Sequence, residues 1–221
     1  MKVIGHRGAR GEMPENTLAA IRHGLQFASG IEIDVQMSKD QQLVVIHDNF
    51  LDRTTNGKGM VSEMAYEEIR RLDAGAGERI PILEEVMDAV KNAGKEIFIE
   101  IKCHGAEESV AQLIAKKGMI ENSVVKSFDH RIVKKIKQIN PKIRTGCLLA
   151  CRPIDVLQMV ENADADMASI MHAYADEDLI RECHTKKKII YVWNVNDKET
   201  LLRFRKLGVD YIGTDFPSAI N

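Results

Sequence analysis

Polar residues with catalytic capacity recur at the ends of short apolar runs: His6-Arg7, Glu32 with Asp34, His47-Asp48, Glu100 with Lys102, Ser127, and Trp193-Asn194. In Ile31-Glu32-Ile33-Asp34-Val35, an extended backbone sends alternate residues to opposite faces. The two carboxylates therefore share one face and the three apolar residues the other. The same alternation sets Ile97, Ile99 and Ile101 against Glu96, Phe98, Glu100 and Lys102. If the apolar faces pack under helices, Glu32, Asp34 and Glu100 converge on one interior. Burying three carboxylates without compensation is prohibitive. A divalent cation would remove the repulsion, and an all-oxygen ligand set selects a hard ion, Mg²⁺ or Ca²⁺. The alternative is a structural network in which Lys102 and Arg7 neutralise the carboxylates.

Imidazole carries protons near neutral pH. Cleaving a phosphodiester needs one group to activate the nucleophile and one to protonate the departing oxygen. His6 and His47, beside such a cation, meet that need; the alternatives are two structural histidines, or His47 as a further ligand. Arg7 can grip two phosphoryl oxygens, while Lys102 offers a point charge that also compensates Glu100. Trp193, the one tryptophan, either stacks on substrate carbon atoms or fills space at the strand end. His23, His104, His130, His172 and His184 show no partner from spacing and read as ordinary histidines. Asn56-Gly57-Lys58-Gly59 reads as a turn, because it lacks the strand–helix frame of a phosphate loop.

These residues need elements to hold them. Short β-branched runs at 3–5, 31–37, 96–101, 123–128, 143–149, 166–171, 189–195 and 211–213 read as strands. Helical patterns separate them, the first over 14–28 with Leu18, Ile21 and Leu25 on one face and Pro14 in its first turn. A further run at 43–46 follows 31–37 too closely for a crossover helix, so these two form an antiparallel hairpin. That pairing lays His47 beside the carboxylate strand. Eight parallel strands with intervening helices indicate α/β architecture, and the length favours a (β/α)8 TIM-type barrel over an open sheet. Residues 50–82, polar and rich in Gly and Thr with one short helix near 66–72, read as a small insertion within a single domain, 1–221. The last helix is expected to be short or missing.

Composition narrows the function classes. The chain is 44% hydrophobic and 29% charged, with net charge -2 and both signs dispersed. That balance argues against a nucleic-acid partner, and Lys186-Lys187-Lys188 reads as a helix end. No apolar run approaches the ~20 residues of a membrane span. The opening Met-Lys-Val-Ile-Gly-His-Arg-Gly lacks a signal-peptide pattern. Cys103, Cys147, Cys151 and Cys183 form no CxxC pair and read as reduced thiols, so a cytoplasmic address is expected. Nothing in the sequence sets the oligomeric state.

At these residues the chain resembles the glycerophosphodiester phosphodiesterase family. The segments that carry the resemblance are GHRGARGEMPENTLAAI, IEIDVQMSKDQQLVVIHD, LDRTTNGKGMVSEM, IPILEEVM, IEIK, KSFD, VWNVN and GVDYIGTDFP, in the family's order across nearly the whole chain. The resemblance implies a TIM barrel with an insertion after the second strand region. It implies hydrolysis of small-molecule glycerophosphodiesters to glycerol 3-phosphate and an alcohol, with a divalent cation. Its metal carboxylates fall on Glu32, Asp34 and Glu100, its acid/base histidines on His6 and His47, and its phosphate contacts on Arg7 and Lys102. Glu15 and Asn16 match positions that support the site. Residues 74–80 depart from the family in lacking the aromatic side chains often found there.

Overall fold

The computed structural model describes residues 1–220, and in it the strand–helix alternation closes into a barrel. In chain order the first elements are β1 (Lys2–Gly5), α1 (Leu18–Phe27), β2 (Gly30–Met37), β3 (Leu43–Val45), α2 (Tyr66–Ile69) and α3 (Leu83–Asn92). Then come β4 (Glu96–Ile101), α4 (Glu107–Lys116), β5 (Ser123–Ser127), α5 (His130–Ile139), β6 (Arg144–Leu149) and α6 (Val156–Asn162). The chain continues through β7 (Met167–Met171), α7 (Glu177–Thr185), β8 (Ile189–Trp193), α8 (Lys198–Leu207) and β9 (Tyr211–Thr214).

Every strand except β3 runs parallel to its neighbours, and β1 joins β2 on one side and β9 on the other. The ring therefore has no open edge. β3 lies antiparallel on β2, with Val35 opposite Val45 and Met37 opposite Leu43. It takes the upper part of the β2 edge whose lower part, Gly30 and Ile31, belongs to β1. The predicted hairpin is thus an appendage on the rim.

Three storeys fill the interior. At the N-terminal end Glu96 is shared by Lys2 (2.7 Å), Arg144 (2.9 Å) and the Tyr211 hydroxyl (3.2 Å). Above it Ile4, Phe98, Val124, Met167, Tyr191 and Tyr211 form an apolar layer. Above that the inward side chains of β2, β4 and β5 are charged. The isoleucines of β4 face outward onto α3 and α4, so both faces of this strand are buried.

Local chemistry sets the helix boundaries. The first helix starts at Leu18 rather than Pro14. Thr17 accepts from the Ala20 N–H as its cap, and Asn16 lies in the left-handed region at φ 60°, which a helix cannot include. Asp129, Asp155, Asp176 and Asp197 cap α5 to α8 in the same way, each cap contributing about 1 kcal/mol. Within 50–82, Leu51, Val61, Tyr66 and Ile69 pack with Val44 and Ile46 into a small core of their own. No helix follows β9 among the described residues; a turn there tucks Ile220 against the main core. No helix among the described residues is long and apolar enough to cross a membrane.

Candidate active site

Strand register gathers the carboxylates. Glu32 and Asp34 face inward from β2, and Asp34 stands directly opposite Glu100 on β4. One oxygen from each of Glu32, Asp34 and Glu100 lies within 4.8 Å of the others, and all three residues are buried. Positive charge surrounds them. Lys102 Nζ lies 2.5 Å from Glu100 and 3.1 Å from Asp34. Arg7 Nε is 3.3 Å from Asp34, and Lys126 Nζ is 3.3 Å from Glu32. The network weighed as the alternative, with Lys102 and Arg7 against the carboxylates, is therefore present. Asp34 Oδ1 is buried, with the Lys102 ammonium as its ion-pair partner. Burial, reinforced by Asp34 and Glu32 against Lys102, pushes Glu100 up to about 7. Burial also raises Glu32, but Lys126, His6 and the Arg7 N–H outweigh it and hold this carboxyl at about 2.

The loop after β1 carries His6 and Arg7. Gly8 adopts φ +84°, and a Cβ there would sit 2.7 Å from the Ala20 carbonyl carbon, so the loop lies directly on α1. Arg7 is itself left-handed, at φ 49°, and its N–H donates to Glu32 Oε2 at 3.1 Å. His6 Nδ1 is 2.6 Å from Asp215 Oδ1, and its Nε2 is 3.9 Å from Glu32. Asn194 Nδ2 also approaches His6 Nδ1, at 3.0 Å. His47 follows β3, where the Ile46 N–H donates to the Asp34 carbonyl. Its Nδ1 is 2.5 Å from Asp48, whose other oxygen is 2.5 Å from Arg53 Nε. Burial, opposed by Asp34, holds His47 below the ordinary histidine value.

Both histidines open onto one cavity of about 250 Å³, together with Arg7, Glu32, Glu100, Lys102 and Trp193. Asp34 does not line it and sits behind Glu100 and Lys102. Glu15 and Asn16 lie outside the cavity wall as supports. Asn16 Nδ2 donates to Asp34 Oδ2 at 2.9 Å, and Glu15 accepts from Arg7 and Arg53, each at 2.7 Å. Trp193 packs edge-on against Phe128, centroids 5.8 Å apart.

Ser127, expected at the mouth as the end of its strand, turns its hydroxyl to donate to the Ile101 carbonyl instead. Lys126, one residue earlier, faces the cavity; an alternation from Val124 to Phe128 would have found it. Asp215 was missed although it directly follows the last strand. His23, His104 and His184 do have partners, in Glu12, Asp129 and Asp210, and none of the three lines the cavity.

The model of the glycerophosphoryl diester phosphodiesterase family matches residues 6–219. A glycerophosphodiester phosphodiesterase of Caldanaerobacter subterraneus is 36% identical, over 99% of this chain and 95% of its own. One from Bacillus altitudinis is 35% identical, over 98% and 95%. An Oleispira antarctica phosphodiesterase solved with the product sn-glycerol-3-phosphate superposes with TM-score 0.89 at 27% identity, covering 100% of this chain and 95% of that one.

Proposed function

Since this chain belongs to the glycerophosphoryl diester phosphodiesterase family and is a phosphoric diester hydrolase, we propose that it cleaves glycerophosphodiesters to sn-glycerol 3-phosphate and a free alcohol, using His6 and His47 for proton transfer beside a divalent cation. One observation carries the reading: two histidines, each anchored through Nδ1 to a carboxylate, line one cavity with two of three clustered carboxylates.

Glu32, Asp34 and Glu100 fit a hard cation. Their oxygens converge, and burial together with the neighbouring carboxylates holds Glu100 up to about 7. Such an ion, Mg²⁺ or Ca²⁺, would supply Lewis-acid stabilisation of charge on phosphoryl oxygens. Arg7 and Lys102 add positive charge at the same wall and orient the diester. Asp215 and Asp48 fix the ring orientations of His6 and His47, leaving each Nε2 to handle the proton. One histidine withdraws it from the nucleophile while the other delivers one to the departing oxygen. Trp193 offers an apolar surface to substrate carbon atoms. The free cysteines, Cys103, Cys147, Cys151 and Cys183, support a reducing compartment, the cytoplasm.

The test is release of glycerol 3-phosphate from glycerophosphoglycerol and glycerophosphocholine, with Mg²⁺, Ca²⁺ or chelator, in wild type, His6→Ala and His47→Ala. Turnover is expected to need the ion and to fall about 10²-fold or more in each variant while cation binding persists. Near-wild-type rates in both variants would overturn the assignment.

A further inference from the structure

Among the described residues, none of 50–82 lines the cavity. The insertion reaches the groups around the cavity through one side chain, Arg53, whose guanidinium spans two carboxylates. Nε donates to Asp48 Oδ2 at 2.5 Å, and Nη1 donates to Glu15 Oε2 at 3.1 Å. Nη2 lies between them, 3.1 Å from Asp48 Oδ1 and 2.7 Å from Glu15 Oε1. The planar fork thus fixes the two acids relative to each other.

Each acid holds a different arm of the site. Asp48 Oδ1, which Nη2 reaches, is 2.5 Å from His47 Nδ1. Glu15 Oε1, which Nη2 also reaches, accepts from Arg7 Nη1 at 2.7 Å. His47 follows the rim hairpin, and Arg7 belongs to the loop after β1. Arg53 also keeps Asp48 ionised, holding its carboxyl well below the usual range, so that it remains an acceptor for His47. Without Arg53, Glu15 can turn toward Arg10, whose Nε is 3.3 Å away. Stability alone is a weak account of these bonds. The Arg53 side chain is 44% exposed, where ion pairs contribute little to folding.

We propose that Arg53 is a positioning residue of this hydrolase, holding His47 and Arg7 in one arrangement about the bound diester. The inference rests on the hydrolase reading above and adds a residue that acts through two of its groups. Proton transfer at His47 develops only in the transition state, so misplacing the ring lowers kcat. The phosphate charge gripped by Arg7 is present in the bound substrate as well, so a loosened Arg7 raises KM. Loss of Arg53 does both.

Steady-state kinetics on glycerophosphoglycerol test this, with inhibition by sn-glycerol 3-phosphate as a second measure of the phosphate grip. Arg53→Gln should lower kcat about tenfold and raise KM and the inhibition constant about tenfold, together the cost of a small misplacement. In an Asp48→Asn background the same change should act on KM alone. In a Glu15→Gln background it should act on kcat alone. Arg53→Lys keeps the charge without the fork and should show both losses at smaller size; it carries the comparison if Arg53→Gln does not fold. Unchanged kcat and KM in either Arg53 variant overturn the proposal while the hydrolase reading stands. So do losses that stay the same in both backgrounds, the mark of a merely structural role. A wild type that cleaves no glycerophosphodiester overturns the hydrolase reading and this inference with it.

Discussion

Lys126 Nζ stands 3.3 Å from Glu32 Oε1 inside the barrel, and neither side chain is more than 3% exposed. It also lies 4.6 Å over the Tyr191 ring, which adds to its stabilisation. Replacing Lys126 with Met leaves Glu32 without this counter-charge. Removing one partner of such a pair costs about 3–5 kcal/mol. In a chain of this size that corresponds to a fall in melting temperature of roughly 10 °C. The fall is expected in chelator and should shrink at saturating Mg²⁺ or Ca²⁺, which restores positive charge beside Glu32. Equal deficits with and without the ion would show that Lys126 is merely packing.

Asp215 is expected to act through His6. Its carboxylate holds Nδ1 at 2.6 Å and so directs Nε2 to the cavity. Asp215→Asn should lower kcat between about 10²- and 10⁴-fold, the range of proton-transfer catalysis, while calorimetry finds cation affinity unchanged. A parallel loss of cation binding would mean the loop itself had moved.

Asn16 should matter for the opposite reason. It donates to Asp34 Oδ2 at 2.9 Å and accepts from the Asp34 N–H at 3.3 Å, fixing the carboxylate from both sides. Asn16→Ala is expected to weaken cation binding about 10- to 100-fold, as loss of an outer partner does. Isothermal titration with Mn²⁺ would measure this directly, and an unaltered affinity would separate Asp34 from the ion.

Glu15 gives the pH dependence. Burial raises its carboxyl, but Arg53 and Arg7 outweigh burial and bring it down from 4.5 to about 2. A depressed carboxyl contributes stability that is complete above the unfolded value and lost as pH falls through the folded one. Glu15→Gln should therefore cost about 2 kcal/mol in urea unfolding at pH 7. The gap between variant and wild type should stay level down to about pH 4.5 and close toward pH 2. A gap that widened on acidification would contradict this sign.

The parts of the site that sequence reveals are those set by strand alternation and strand ends. Period two puts Glu32, Asp34 and Glu100 on one face, and the short link before residue 43 returns His47 to their side. Ser127 stands out only as a strand end, whereas period two from Val124 gives the inward face to Lys126, one step away. Arg53 and Arg10 lie in turns with no period to read. The partnership of His6 with Asp215 spans 209 positions and exists only because β1 and β9 are neighbours. The helix boundary at Leu18 escaped for a similar reason. Asn16 is turned by the strand it serves, a long-range contact that local pattern does not hold.

Ring closure between β1 and β9 also imposes an order in time. A nascent chain halted after β8 would already hold both histidines and all three clustered carboxylates. Its first strand, however, would border an open seam, with no Asp215 behind the imidazole of His6. The carboxylate that anchors His6 and the last rib of the sheet thus arrive together.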